Sequence, residues 1–191
     1  MTNQKSSILG KAKVGAMAGL VGGFALFSSF LAIDAQLDIP NGTFYKTIGI
    51  VAGIDSTSAI AFGFMSHMGA AALIGACYSM SASIWRAFRI VTVPKGILTG
   101  ALTGIVVFTL FFLPIHYFVM MPSMVAEFNV IDESRLSVEE LGGLYHLLLE
   151  TDRVLWFSLF LHVLFGVVMG LMTGFILHED YAKVPRIKGF L

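Results

Sequence analysis

The chain has 191 residues, of which 57% are hydrophobic and 13% charged, and it carries no net charge at pH 7. Soluble domains carry about 25% charged residues, so this composition, with a mean hydropathy of +0.84, indicates an integral membrane protein. Zero net charge leaves no basic footprint for nucleic acid, and the single Cys77 cannot form an internal disulfide.

A membrane-spanning helix needs about 20 predominantly apolar residues. Four runs reach that length: 14–33, 59–84, 97–121 and 154–177. The expected fold is therefore all-α, one polytopic membrane domain over 1–191 with four transmembrane helices. A basic segment precedes the first run, which raises the alternative of a cleaved signal peptide. The run is too long for the apolar region of a signal, and no A-x-A site follows it. Lipidation signals of the Met-Gly or C-terminal Cys-box type are also missing from the sequence. The first helix carries Gly15, Gly19 and Gly23 at spacing four. Such rows let helix backbones approach closely in lipid.

The first long loop, 34–58, contains the turn signal Pro40-Asn41-Gly42. The segment 43–54 after it is apolar but too short to span, so it reads either as re-entrant or as a short helix on the bundle. Asp55 and Ser56 offer an N-cap for the second helix. That helix carries the row Gly63, His67, Ala71, Gly75, Ser79 and ends at Trp85, Arg86 and Arg89, residues suited to a membrane interface. The third helix opens at Pro94-Lys95 and carries Gly96, Gly100 and Gly104. Pro114 removes a backbone donor and predicts a kink, with His116 just beyond it.

The second long loop, 122–153, holds seven acids. Ser137 and Glu140 have capping-box spacing, with Leu136 and Leu141 placed as a hydrophobic staple. They predict an amphipathic interfacial helix near 138–150, with Leu141, Leu144, Tyr145, Leu148 and Leu149 on one side. Gly142 and Gly143 weaken it, so it needs tertiary support. The fourth spanning helix carries the row Ser158, His162, Gly166, Gly170, Gly174.

Charge orders these segments. Lys5, Lys11, Lys13, Arg86, Arg89, Lys95, Lys183, Arg186 and Lys188 make nine of the twelve basic residues and fall in the two tails and the short link. The two long loops hold ten of the twelve acids. The positive-inside rule then places both termini in the cytoplasm, with the chain in the cell membrane. The halves also resemble each other. Gly19, Gly23 and Phe27 match Gly100, Gly104 and Phe108 at an offset of 81, and His67 and Gly75 match His162 and Gly170 at an offset of 95. This reads as a 2+2 repeat with both halves in the same orientation.

Ionisable residues inside a membrane mark candidate sites. Away from the helix ends there are three: His67, His116 and His162. At about 1.5 Å per residue, His67 and His162 both lie about 12 Å inside their helices, a candidate polar pair near the midplane. Such histidines commonly hydrogen-bond between helices. A proton relay, or a soft-metal site with Met65, Met68 or His116, are the chemical alternatives. Neither a metal nor a cofactor is identified by the sequence.

Two functions remain open. In the first, the chain is a non-catalytic accessory subunit of a larger membrane complex. In size and helix content, though by no motif, it is similar to the small subunits surrounding respiratory enzymes or copper membrane monooxygenases. The glycine rows, counting Gly15, Gly19, Gly23, Gly100, Gly104, Gly166, Gly170 and Gly174, exceed what four helices need for one another. That excess points to other membrane subunits or a second copy as partners, alongside the lipid bilayer. In the second, the chain is a small dimeric carrier or channel using the histidine pair for protons, metal or a small solute.

Overall fold

The computed structural model of the chain describes residues 7–129 and 136–181. Lys5, Lys183, Arg186 and Lys188 of the basic tails, and Asp132 and Glu133 of the second loop, lie outside these residues. Among the described residues there is no strand. Four helical runs are long and apolar enough to cross a membrane: Ile8–Gln36, Ser56–Ile84, Val93–Glu127 and Thr151–His178.

The first run is two helices, α1 (Ile8–Ala25) and α2 (Phe27–Gln36), divided at Leu26. The sequence reads it as one helix, and nothing in the local sequence accounts for the division. Ser7 caps α1, its hydroxyl accepting from the Gly10 amide at 3.0 Å. The loop segment forms a short helix, α3 (Thr43–Val51), entered through Gly42 at φ +89°, where a side chain would be strained. The second run is α4 (Ser56–Ile84).

The third run adapts to Pro114 by widening. After α5 (Val93–Val107) come a π turn (Phe108–Phe112), the single turn α6 (Leu113–Ile115), a second π turn (His116–Met120) and α7 (Met121–Phe128). The amide of Leu113 reaches back to the Phe108 carbonyl, and that of Met121 to the His116 carbonyl, each five residues away. Pro114 cannot donate a hydrogen bond, and the flanking π turns carry the helix past it without a break. The last elements are α8 (Val138–Leu149) and α9 (Thr151–Tyr181).

The contacts divide into two compact units. The first comprises Met1–Leu26, Met68–Ile105 and His162–Leu191; the second comprises Phe27–His67 and Val106–Leu161. In the first unit, α1 meets α4 and α5 meets α9 along glycine faces. A Cβ on Gly15 would overlap the Gly75 carbonyl and stand 2.6 Å from the Ser79 Cβ. One on Gly19 would overlap the Ala71 carbonyl and stand 3.2 Å from the Gly75 Cα, and one on Gly23 would meet Ala71 and Met68. On the other pair, a Cβ on Gly96 would lie 2.6 Å from the Gly170 carbonyl oxygen and 3.2 Å from the Gly174 Cα. One on Gly100 would overlap the Gly166 carbonyl and lie 2.9 Å from the Gly170 Cα, and Gly104 abuts the His162 carbonyl in the same way. Real Cβ atoms do not approach so closely, so only glycine fits these crossings. Every row glycine is therefore met inside the chain, and the surplus read as pointing to partner helices does not exist.

Candidate functional site

The polar residues that stand out gather in the second unit, around α3 and α8. Asp34, near the end of α2, is fully buried. Its carboxylate accepts the Gly42 amide at 2.7 Å and so holds the entry to α3, where unpaired amides and the helix dipole favour negative charge. The short helix packs tightly behind this anchor. A Cβ on Gly63 of α4 would overlap the Tyr45 carbonyl, and one on Gly49 would lie 2.5 Å from the Ala59 Cα.

Tyr45 is 1% exposed, and its hydroxyl has no hydrogen-bond partner among the described residues. Burial, with the Asp34 carboxylate adding to it, pushes the phenol up to about 12, so it stays protonated. Its ring belongs to an aromatic cluster with Phe27, Phe30 and Phe64. His67 completes that cluster, edge-on to Phe30 at 5.2 Å and to Tyr45 at 5.8 Å between centroids. T-shaped geometry of this kind is the preferred one for aromatic pairs. His67 thus sits among aromatic rings, and the backbone carbonyl of His162 faces Gly104 of α5. Of the methionines considered beside them, Met65 is exposed and Met68 lies against Gly23.

Glu140 ties α8 to α3 and α4. The capping box forms as the sequence predicts: the Ser137 hydroxyl accepts the Glu140 amide, and the Glu140 carboxylate accepts the Ser137 amide at 2.7 Å. The other carboxylate oxygen takes the Lys46 ammonium of α3 and the Ser56 hydroxyl, the latter at 3.0 Å. Burial pushes the Lys46 ammonium below its usual value, so desolvation outweighs the pull of its counter-charge.

The seating of α8 corrects one expectation. Leu141, Leu144 and Leu147 are buried, while Tyr145 and Leu149 are exposed. The helix packs on the protein by its 141/144/147 face, which leaves Tyr145 and Leu149 outside the packed side. Gly143 permits this, since a Cβ there would already be 3.2 Å from Pro40. At the N-terminus of α4, Asp55 accepts the Thr57 amide at 3.1 Å and the Thr57 hydroxyl. The hydroxyl contact, with the Ser58 amide, holds the Asp55 carboxyl below its ordinary value.

His116 sits in the second π turn, 2% exposed, stacked on Phe112 at 5.5 Å between centroids. Neither ring nitrogen has a hydrogen-bond partner among the described residues. The sequence singled out His116 as ionisable; the π turn that encloses it lies between Pro114 and Pro122, each of which removes a backbone donor. Among the described residues no three of His, Cys, Asp and Glu come together as metal ligands. Comparison with protein-family models, curated proteins and solved structures gives no match.

Proposed function

We propose that the chain is a non-catalytic accessory subunit of a larger membrane assembly. The observation that carries this reading is the free face of α4. Only 17% of its most apolar stretch is buried, against 33–41% for the other three spans. Ser66, Gly69, Ala70, Leu73 and Cys77 are all exposed, and they follow one another at helical spacing on one side. A Cβ on Gly69 would meet nothing within 4 Å. Small residues gain little against lipid, but they let another helix come close.

The test is the mass of the protein extracted from its own membrane in mild detergent. A stable species well above the 20.7 kDa chain is expected, and it should dissociate in Gly69→Leu. A lone monomer throughout sinks the reading. In this assignment neither histidine handles a solute, so a folded His67→Ala, His162→Ala variant keeps the mass of the assembly, whatever thermal stability the lost ring packing of His67 costs. Loss of a solute flux in that variant would instead favour the dimeric carrier or channel.

We further infer that the chain arose as a 2+2 duplication and lies in the cell membrane with both termini in the cytoplasm. The orientation is supported by Arg86, Arg89 and Lys95 in the link and by Lys11 and Lys13 near the start of α1. The duplication is supported by the register of the two glycine crossings. Gly15 meets Gly75 and Ser79, and Gly96 meets Gly170 and Gly174. Gly19 meets Ala71 and Gly75, and Gly100 meets Gly166 and Gly170. The offsets of 81 and 95 read from the sequence carry each first set onto the second.

A further inference from the structure

His116, Met120 and Met124 follow one another at spacing four on a continuous helical run. They are 2%, 7% and 2% exposed. All three line one small cavity, together with Phe44, Thr47, Leu147 and Val154. We propose that these three side chains form a binding site for a soft monovalent metal ion, with Cu(I) as the ion it takes.

The imidazole is the first reason. Both of its ring nitrogens are buried and unpartnered among the described residues, and leaving a buried polar group unsatisfied costs about 1–3 kcal/mol. A leucine would fill the same place without that penalty. The groups facing it offer little relief. Thioether sulfur is a weak acceptor and no donor, and the Thr47 hydroxyl spends its proton on the Thr43 carbonyl at 2.8 Å.

The ligand set is the second reason. Two thioethers and one imidazole are soft, neutral donors of the kind that select Cu(I). No carboxylate lines the cavity, so a divalent ion would bring two uncompensated charges into apolar surroundings. Ion desolvation grows with the square of the charge, which favours a monovalent ion. The cavity has room for about one water-sized body. Phe112, stacked on the imidazole, fixes the ring plane, and the π turn starting at His116 sets where Met120 follows it.

The experiment uses the full chain in detergent on a Cys77→Ser background, which removes the one thiol. The protein is titrated anaerobically with Cu(I) against a chromogenic Cu(I) chelator. One equivalent per chain is expected, with sulfur scattering in the X-ray absorption spectrum and a rise in melting temperature. Met120→Leu, Met124→Leu conserves volume and should weaken binding by about 100-fold and abolish the rise. If the double variant does not fold, each single variant should still weaken binding by about tenfold. His116→Leu should bind no Cu(I) and melt higher than its parent when both are metal-free. Two results overturn the proposal. In one, the Cys77→Ser protein holds no Cu(I), which leaves a water bridging His116 to Thr47 as the occupant. In the other, the leucine variants bind as tightly as the parent.

Discussion

Asp34 and Tyr45 show how differently two buried polar residues can act. Asp34 anchors the Gly42 amide, so Asp34→Ala should loosen α3 and destabilise the protein by about 1–3 kcal/mol. Asp34→Asn keeps an acceptor oxygen and should lose less, a ranking that thermal unfolding in detergent can check. Tyr45 is the opposite case. Its hydroxyl is buried without a partner among the described residues, so Tyr45→Phe should be neutral or stabilising by up to about 1 kcal/mol. A loss above 1 kcal/mol in Tyr45→Phe would show that the hydroxyl is bonded after all. The sequence placed Asp34 in a loop because hydropathy registers its charge. It cannot register that a Pro-Asn-Gly turn brings an amide back onto that charge eight residues later. Tyr45 was legible only as part of an apolar segment too short to span, since the rings around it come from α2 and α4.

Among the elements, α8 was the most legible and α3 the least. The spacing of Ser137 and Glu140 names the start of α8 within one residue, because a capping box is local chemistry. The pairing of Glu140 with Lys46 spans 94 residues and leaves no local trace. It decides which face of α8 is buried, which is why Tyr145 and Leu149 were misplaced. Glu140→Ala removes the box, the ion pair and the Ser56 contact together. The loss should be about 2–3 kcal/mol, between an exposed pair and a fully buried one. In a double-mutant cycle, Lys46→Met should destabilise the wild type but have much less effect in Glu140→Ala. Equal effects of Lys46→Met in both backgrounds would mean that the pair holds nothing. The cap of α4 makes a pH prediction. Asp55 has its carboxyl held below the ordinary 3.8, so its contribution is present above pH 3.8 and lost as pH falls through the lowered value. Asp55→Asn should remove that part of the acid-induced loss of thermal stability. An unchanged acid profile would show that the cap carries no such linkage.

At the scale of the whole molecule, glycine positions were visible in the sequence but their partners were not. Spacing four places glycines on one face of a helix; it does not say which helix that face meets. The row in α1 is used on α4, and the row in α5 on α9. Gly69, a glycine of the spanning helices with open space around it, stands outside every row. This gives a three-way prediction for glycine-to-alanine changes. Gly19→Ala and Gly100→Ala each force a methyl onto a carbonyl of the facing helix, and neither backbone can yield cheaply. Each should destabilise by about 1–3 kcal/mol or more. If the two crossings are copies of one ancestral crossing, the two losses should be alike. Gly69→Ala meets nothing inside the chain and should stabilise the isolated protein by about 0.5–1 kcal/mol through helix propensity. In the assembled complex the same methyl would stand where a partner helix comes close, so its effect should reverse sign between monomer and complex. A Gly69→Ala that stabilises both states equally would leave the α4 face as plain lipid contact and remove the main support for the subunit reading. Unequal losses at Gly19 and Gly100 would count against the duplication alone, so measuring all three separates the two ideas.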